Sequence, residues 1–243
     1  MGHDKLRRME PESVSSSQRR SFLSRLNTGV AALAAFAVGR VANAQTKAAA
    51  AKFEPMRHEK DDWLDEVPGK HRLLFDTTGA DGLSKAVLFA NNFKRVNRTD
   101  YGLKDSDTAV VIVVRHRSAA FGYNDAMWAK YGEAMAKRIS YEDPKTHEAP
   151  KTNPFNASGS GDGSPDGPTT LDSLAKQGVQ LAVCASATRA IAGAIGKATG
   201  GETDAIFAEL GANLVNKNAR LVPAGIVAVN RAQERGYSLA VAV

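Results

Sequence analysis

From Thr108 to Val114 the chain reads Thr-Ala-Val-Val-Ile-Val-Val, an unbroken β-branched run. Such a run suits a strand covered on both faces, as in a parallel sheet. On either side, short apolar runs alternate with longer segments whose apolar residues recur at spacings of three and four. His71–Asp76 predicts a strand ended by Thr77-Thr78-Gly79. Leu83 to about Asn97 predicts a helix, with Ala86, Phe89, Ala90, Phe93 and Val96 on its apolar stripe and Lys85, Asn92 and Lys94 off it. After the β-branched run, which ends at Arg115-His116-Arg117, a helix is expected from about Asn124 to Ile139.

The pattern then breaks. Residues 143–170 are rich in Pro, Gly, Ser and Asn and predict a long exposed loop inserted in one domain, because too little chain precedes them for a separate core. The alternation resumes with a short helix (Leu171–Lys176), a strand (Val179–Val183) and helices over Ser186–Thr199 and Asp204 to about Asn216. In the last of these Ile206, Phe207, Leu210 and Leu214 share a side. A short strand at Arg220–Val222 precedes a helix opened by Pro223 and ended past Arg235 by Gly236. Tyr237–Val243 closes the chain as a fifth apolar strand. Strands alternating with helices imply an α/β sandwich around a mostly parallel sheet.

Ahead of this core, residues 45–70 are alanine-rich and then charged. They predict a flexible lead-in that Trp63 and Leu64 pin to the body. Residues 1–44 carry a different pattern. Arg19 and Arg20 precede an apolar Phe-Leu pair, a weakly hydrophobic segment spans Thr28–Gly39, and Val41-Ala42-Asn43-Ala44 offers a small-x-small cleavage site. The order matches a twin-arginine signal peptide cut after Ala44, and Arg40 behind the apolar core discourages the general secretory route. The expected partners in transit are the twin-arginine translocase and a signal peptidase, and the expected location is periplasmic.

This address changes how charge is read. The formal net charge is +6, but residues 1–44 hold seven Lys/Arg and three acids, leaving 25 basic against 23 acidic residues, a net of +2. A near-balanced domain offers no electrostatic footprint for nucleic acid.

Cys184 is the one cysteine in 243 residues, so no intrachain disulfide forms and no Cys-rich metal site is available. No His-x-x-x-His or paired acidic motif indicates a metal, His58, His71 and His147 lack ligand spacing, and neither a Walker loop nor a Gly-x-Ser-x-Gly elbow occurs. No cofactor is called for. Cys184 falls where a strand hands over to a helix, at the carboxyl edge where α/β sheets build sites. A helix N-terminus favours the thiolate. Ser186 or Thr188 is expected to cap the helix or donate to sulfur, and Arg189 to add charge if it turns inward. His116 ends the neighbouring run and is expected at the same edge. Two readings stay open: a reactive thiolate, or a buried cysteine serving as a small hydrophobe.

Two C-terminal segments, "LAKQGVQLAVCASATRAIA" (174–192) and "LVPAGIVAVNRAQERGYSLAVA" (221–242), resemble the DsrE/DsrF-like family of sulfur-relay proteins. "AVLFANN" (86–92) and "VVIVVRH" (110–116) agree more loosely, so the resemblance spans roughly residues 71–243 with 143–170 as an insertion. It implies a three-layer α/β/α fold, subunits that associate into a homo-oligomer, and a cysteine that carries sulfur as a persulfide between donor and acceptor proteins. Cys184 is the counterpart of that cysteine, with Thr188 and His116 as its expected neighbours. The expected function is therefore an exported sulfur carrier or sulfurtransferase-like protein, with a non-catalytic binding or assembly module of the same fold as the alternative.

Overall fold

A computed structural model describes residues 54–156 and 169–242. The signal-like segment, the first part of the lead-in and the Gly/Ser-rich centre of the insertion (158–167) lie outside the described residues. Five strands, β1 (His71–Thr77), β2 (Thr108–Val114), β3 (Gln180–Cys184), β4 (Ala219–Val222) and β5 (Ser238–Ala242), form one sheet in the order β4-β3-β2-β1-β5. Every pairing is parallel. Between and around them lie α1 (Trp63–Glu66), α2 (Ala80–Thr99), α3 (Asp125–Ile139), α4 (Leu171–Lys176), α5 (Ala185–Thr199), α6 (Thr203–Ala212) and α7 (Gly225–Gln233).

The order dictates the layers. From β1 to β4 the chain steps in one direction across the sheet, and right-handed crossovers place all the intervening helices on one face. The last connection returns from β4 past the whole sheet to β5, which puts α7 on the other face. Two separate cores result. One joins Leu83, Ala86, Ala90, Trp128, Met135, Ile191, Ile195 and Leu210 to Ile112, Val114 and Val183. The other joins Leu74, Val111, Val113 and Ala182 to Ala228, Val229 and Ala232 of α7 and to Trp63, Leu64 and Val67. The result is a three-layer α/β/α sandwich whose central strand, β2, is buried at all seven positions.

The second layer corrects the reading of the lead-in. Residues 59–66 are not a loose tether: they form a 3-10 turn and α1, and they cover the part of the sheet that α7 leaves bare. Arg220 stacks over the Trp63 ring at 4.5 Å. The Tyr237 hydroxyl donates to the Leu64 carbonyl at 2.8 Å, and Arg235 Nε donates to Asp65 at 3.0 Å. Charged residues masked this segment's role in the sequence, yet those charges hold it down.

Helix α2 buries Ala86 and Ala90 of its predicted stripe but not the whole of it. Phe89 is 49% exposed, while Lys94, placed off the stripe, is buried. Its Nζ donates to the carbonyls of Asp105 and Thr108, each at 2.8 Å. Ala86 and Ala90 sit closest to the sheet, and the aliphatic stem of Lys94 extends their row. Burial lowers the Lys94 pKa, and the neighbouring Asp105 only partly offsets this.

The insertion, too, is not all exposed. Asn153 is fully buried, donating from Nδ2 to the carbonyls of Phe121 (2.8 Å) and Tyr123 (2.7 Å). Phe155 packs edge-on to Phe121 with centroids 4.8 Å apart. Helix boundaries shift in two further places. The helix after Thr203 ends at Ala212 rather than Asn216, with Asn213 Nδ2 folding back onto the Glu209 carbonyl. Pro223 stays outside α7, in the link from β4.

Burial raises the Tyr237 phenol to about 12, ahead of smaller opposing effects from nearby charges. Between about pH 10 and 12 the unfolded phenol ionises and the folded one does not. Stability therefore falls as pH rises through that window. Tyr237→Phe is expected to cost about 1 kcal/mol at neutral pH and to flatten the alkaline decline, read from urea midpoints at pH 9 to 12.

Candidate functional site at the carboxyl edge

Strands β3 and β4 are neighbours, but the chain leaves them toward opposite faces, through α5 and α7 respectively. Their carboxyl ends therefore part around a crevice, the position where open α/β sheets bind ligands. Cys184 lies at the end of β3, opposite Val222 of β4. A cavity of about 440 Å³ opens there, lined by Cys184, Ala187 and Ile191 on one side, Ala224–Ile226 on another, and Arg115, His116, Arg138 and Ile139 across the mouth.

Cys184 is its own helix cap. Its extended backbone (φ −70°, ψ 111°) precedes α5, and Sγ accepts from the Ala187 N–H at 3.4 Å. That hydrogen bond directs one of the helix's otherwise unpaired N–H groups at sulfur. The residue is 6% exposed and lines the cavity.

The expected helpers distribute differently. Thr188 Oγ1 donates to the Cys184 carbonyl at 2.9 Å rather than to sulfur, and it accepts from Tyr123 at 2.8 Å. It braces the cysteine backbone. Ser186 Oγ donates to the Pro223 carbonyl at 3.1 Å, tying the start of α5 to the link after β4. Arg189 turns away: it pairs with Asp204 at 2.6 Å and stacks over Phe207. His116 does line the cavity.

The charge that Arg189 does not provide comes from residues the sequence reading passed over. Arg115 forms a two-pronged pair with Asp76, Nε–Oδ1 2.7 Å and Nη2–Oδ2 2.9 Å. Asp76's hydrogen bonds raise the Arg115 pKa, with burial opposing. Burial also holds the Tyr123 phenol far above its ordinary range, with its hydrogen bond to Thr188 opposing. Arg138, on α3, pairs with no carboxylate among the described residues. The signal for Asp76 was a carboxylate directly after the apolar Leu73-Leu74-Phe75 run, one residue before the strand's end.

The exit from β2 is strained and held. His116 has φ +56°, a left-handed conformation that costs a non-glycine residue about 1–3 kcal/mol. Its neighbours fix it, since the N–H groups of Arg115 and Arg117 donate to the carbonyls of Thr77 and Thr78. Ser118 Oγ also accepts from the Arg115 N–H at 3.0 Å. Ser140, just past α3, has φ +55° and ends that helix in the left-handed conformation common at helix C-termini.

No family model matches the chain, and no curated protein or solved structure matches it either. The site therefore stands on its geometry.

Packing between α7 and Arg115 is close enough to test. A Cβ added at Gly225 would lie 2.6 Å from Arg115 Cβ and 3.2 Å from Val113. Gly225→Ala is expected to cost about 1–3 kcal/mol in urea unfolding and to change the rate at which native Cys184 reacts with iodoacetamide. An unchanged midpoint and an unchanged rate would show that α7 does not govern access to the thiol.

Proposed function

We propose that this protein is an exported sulfur carrier or sulfurtransferase-like protein of the DsrE-like type, holding sulfane sulfur on Cys184 as a persulfide. The observation that carries this reading is the position of Cys184: at the crevice between β3 and β4, capping α5 through its own sulfur, in a cavity with Arg115, His116 and Arg138 at the mouth. A thiolate there attacks the terminal sulfur of a polysulfide donor. A Cys184 S–S bond forms, the donor's S–S bond breaks, and the electron pair leaves with the shortened donor. No net oxidation occurs. The chain's residues bind, orient and stabilise the anions on both sides of that exchange. The resemblance of residues 174–192 and 221–242 to the sulfur-relay family agrees with it.

One observation favours the alternative, a binding or assembly module. Cys184 is largely buried, while Ile226 and Val227 of α7 and Leu239 and Val241 of β5 are exposed. Apolar surface of that kind suits burial against another copy of the chain, so self-association belongs to either reading.

The decisive measurement is mass spectrometry of the purified protein after polysulfide treatment. One added sulfur atom, ~32 Da, is expected on the wild type and absent from Cys184→Ser. If native Cys184 neither gains sulfur nor alkylates until the protein is denatured, the assembly module is the correct reading. Periplasmic location rests on Arg19 and Arg20. Their joint replacement by Lys is expected to leave the precursor in the cytoplasm on cell fractionation, and normal export of that variant would point to the general secretory route instead.

A further inference from the structure

The crevice at Cys184 is not the largest cavity at this edge. A second, about 690 Å³, lies over the carboxyl end of β1, within the range of small-molecule sites. Its apolar wall includes Val87 and Phe155, the latter anchored in the core from the insertion. The two cavities share a wall. Ile139 lines both, and the successive residues His116 and Arg117 face the Cys184 cavity and the larger one respectively. His116 lines the Cys184 cavity and Ser140 the larger one, each in the left-handed region.

The larger cavity presents charges of both signs. Arg117 brings a guanidinium on the dividing side, and Asp81 and Glu142 bring carboxylates. Among the described residues none of the three makes an ion pair. Tyr141 adds a hydroxyl kept protonated first by burial and then by the charges of Asp143 and Asp81. A purely anionic ligand would meet repulsion from the two carboxylates, and a cationic one would leave Arg117 unanswered. A zwitterion answers all three.

We infer that this cavity holds the body of a small zwitterionic thiol, a cysteine-containing peptide of two or three residues, whose sulfur crosses Ile139 to collect sulfur from Cys184. The ligand's carboxylate pairs with Arg117 and its ammonium with Asp81 and Glu142. Its thiolate attacks the outer sulfur of the Cys184 persulfide. An S–S bond to the small thiol forms, the Cys184 S–S bond breaks, and that electron pair returns to Sγ as the thiolate. The proton released when the incoming thiol ionises goes to solvent, and the small thiol departs as its own persulfide. The inference deepens the sulfur-carrier reading and rests on it for the transfer step, whereas docking in the cavity does not need Cys184 to react.

The test separates the two. S-Methylcysteinylglycine, a dipeptide thioether that carries one ammonium and one carboxylate and cannot accept sulfur, is titrated calorimetrically into the full-length protein. Binding with a dissociation constant below about 1 mM is expected, and it should survive Cys184→Ser. Arg117 is exposed, so Arg117→Ala is expected to fold, as circular dichroism will check. It should weaken binding about tenfold or more while leaving polysulfide loading of Cys184 unchanged. Asp81→Asn should weaken the dipeptide but not its deaminated analogue. No binding by the wild type, or equal affinity in Arg117→Ala, overturns the inference. So does tighter binding of a longer peptide with an internal cysteine, which would assign the cavity to a protein tail. Intact binding with no sulfur uptake on Cys184 instead overturns the carrier reading and the transfer step, and leaves the docking site standing.

Discussion

A strand buried on both faces can place polar chemistry only at its ends. Strand β2 is such a strand, with seven consecutive residues out of solvent, and much else in this protein follows from it. Helices must cover both faces, and right-handed crossovers decide which helix covers which. Because the chain moves from β1 to β4 in one direction and then returns, α7 alone among the later helices lies on the second face. That return parts the exits of β3 and β4, and Cys184 sits where they part. Arg115 and His116 then leave β2 at the same edge and line the Cys184 cavity, although Arg115 and Cys184 are 69 positions apart.

The strands and their succession were legible because each is a compact apolar run with a turn after it. The parallel sheet followed from β2's unbroken run, and Cys184's place at a strand-to-helix junction followed from local pattern. What escaped the sequence was mostly long-range partnership. Lys94 looked like a surface lysine because nothing nearby in the chain reveals that the Asp105 and Thr108 carbonyls await its ammonium. Asn153 looked like loop filler until its amide was seen satisfying two carbonyls behind the Phe121 ring. Thr188 and Arg189 were placed correctly on α5, but helix geometry alone does not say that Tyr123 and Asp204 occupy their polar ends.

At the site, the Asp76–Arg115 pair converts a buried carboxylate into a positioning device. Asp76 is 5% exposed and would be costly without a partner. Paired, it fixes the guanidinium at the crevice mouth while cancelling much of its charge. Among the described residues, Arg138 and Arg117, one lining each cavity, make no ion pair. The turn at His116 separates the paired Arg115 from Arg117.

The second layer also has a consequence for how the chain reaches its fold. Its two contributors lie at opposite ends of the described domain: Arg235 meets Asp65 across 170 positions, and Tyr237 meets Leu64 across 173. Contacts of such separation are late and entropically expensive to close. Trp63 and Leu64 precede the strands they cover, and their cluster is completed only when α7 packs beside them on β1, β2 and β3. The fastening of residue 65 to residue 235 therefore joins the first α-helix of the described domain to the end of its last, and closes that apolar face late in folding.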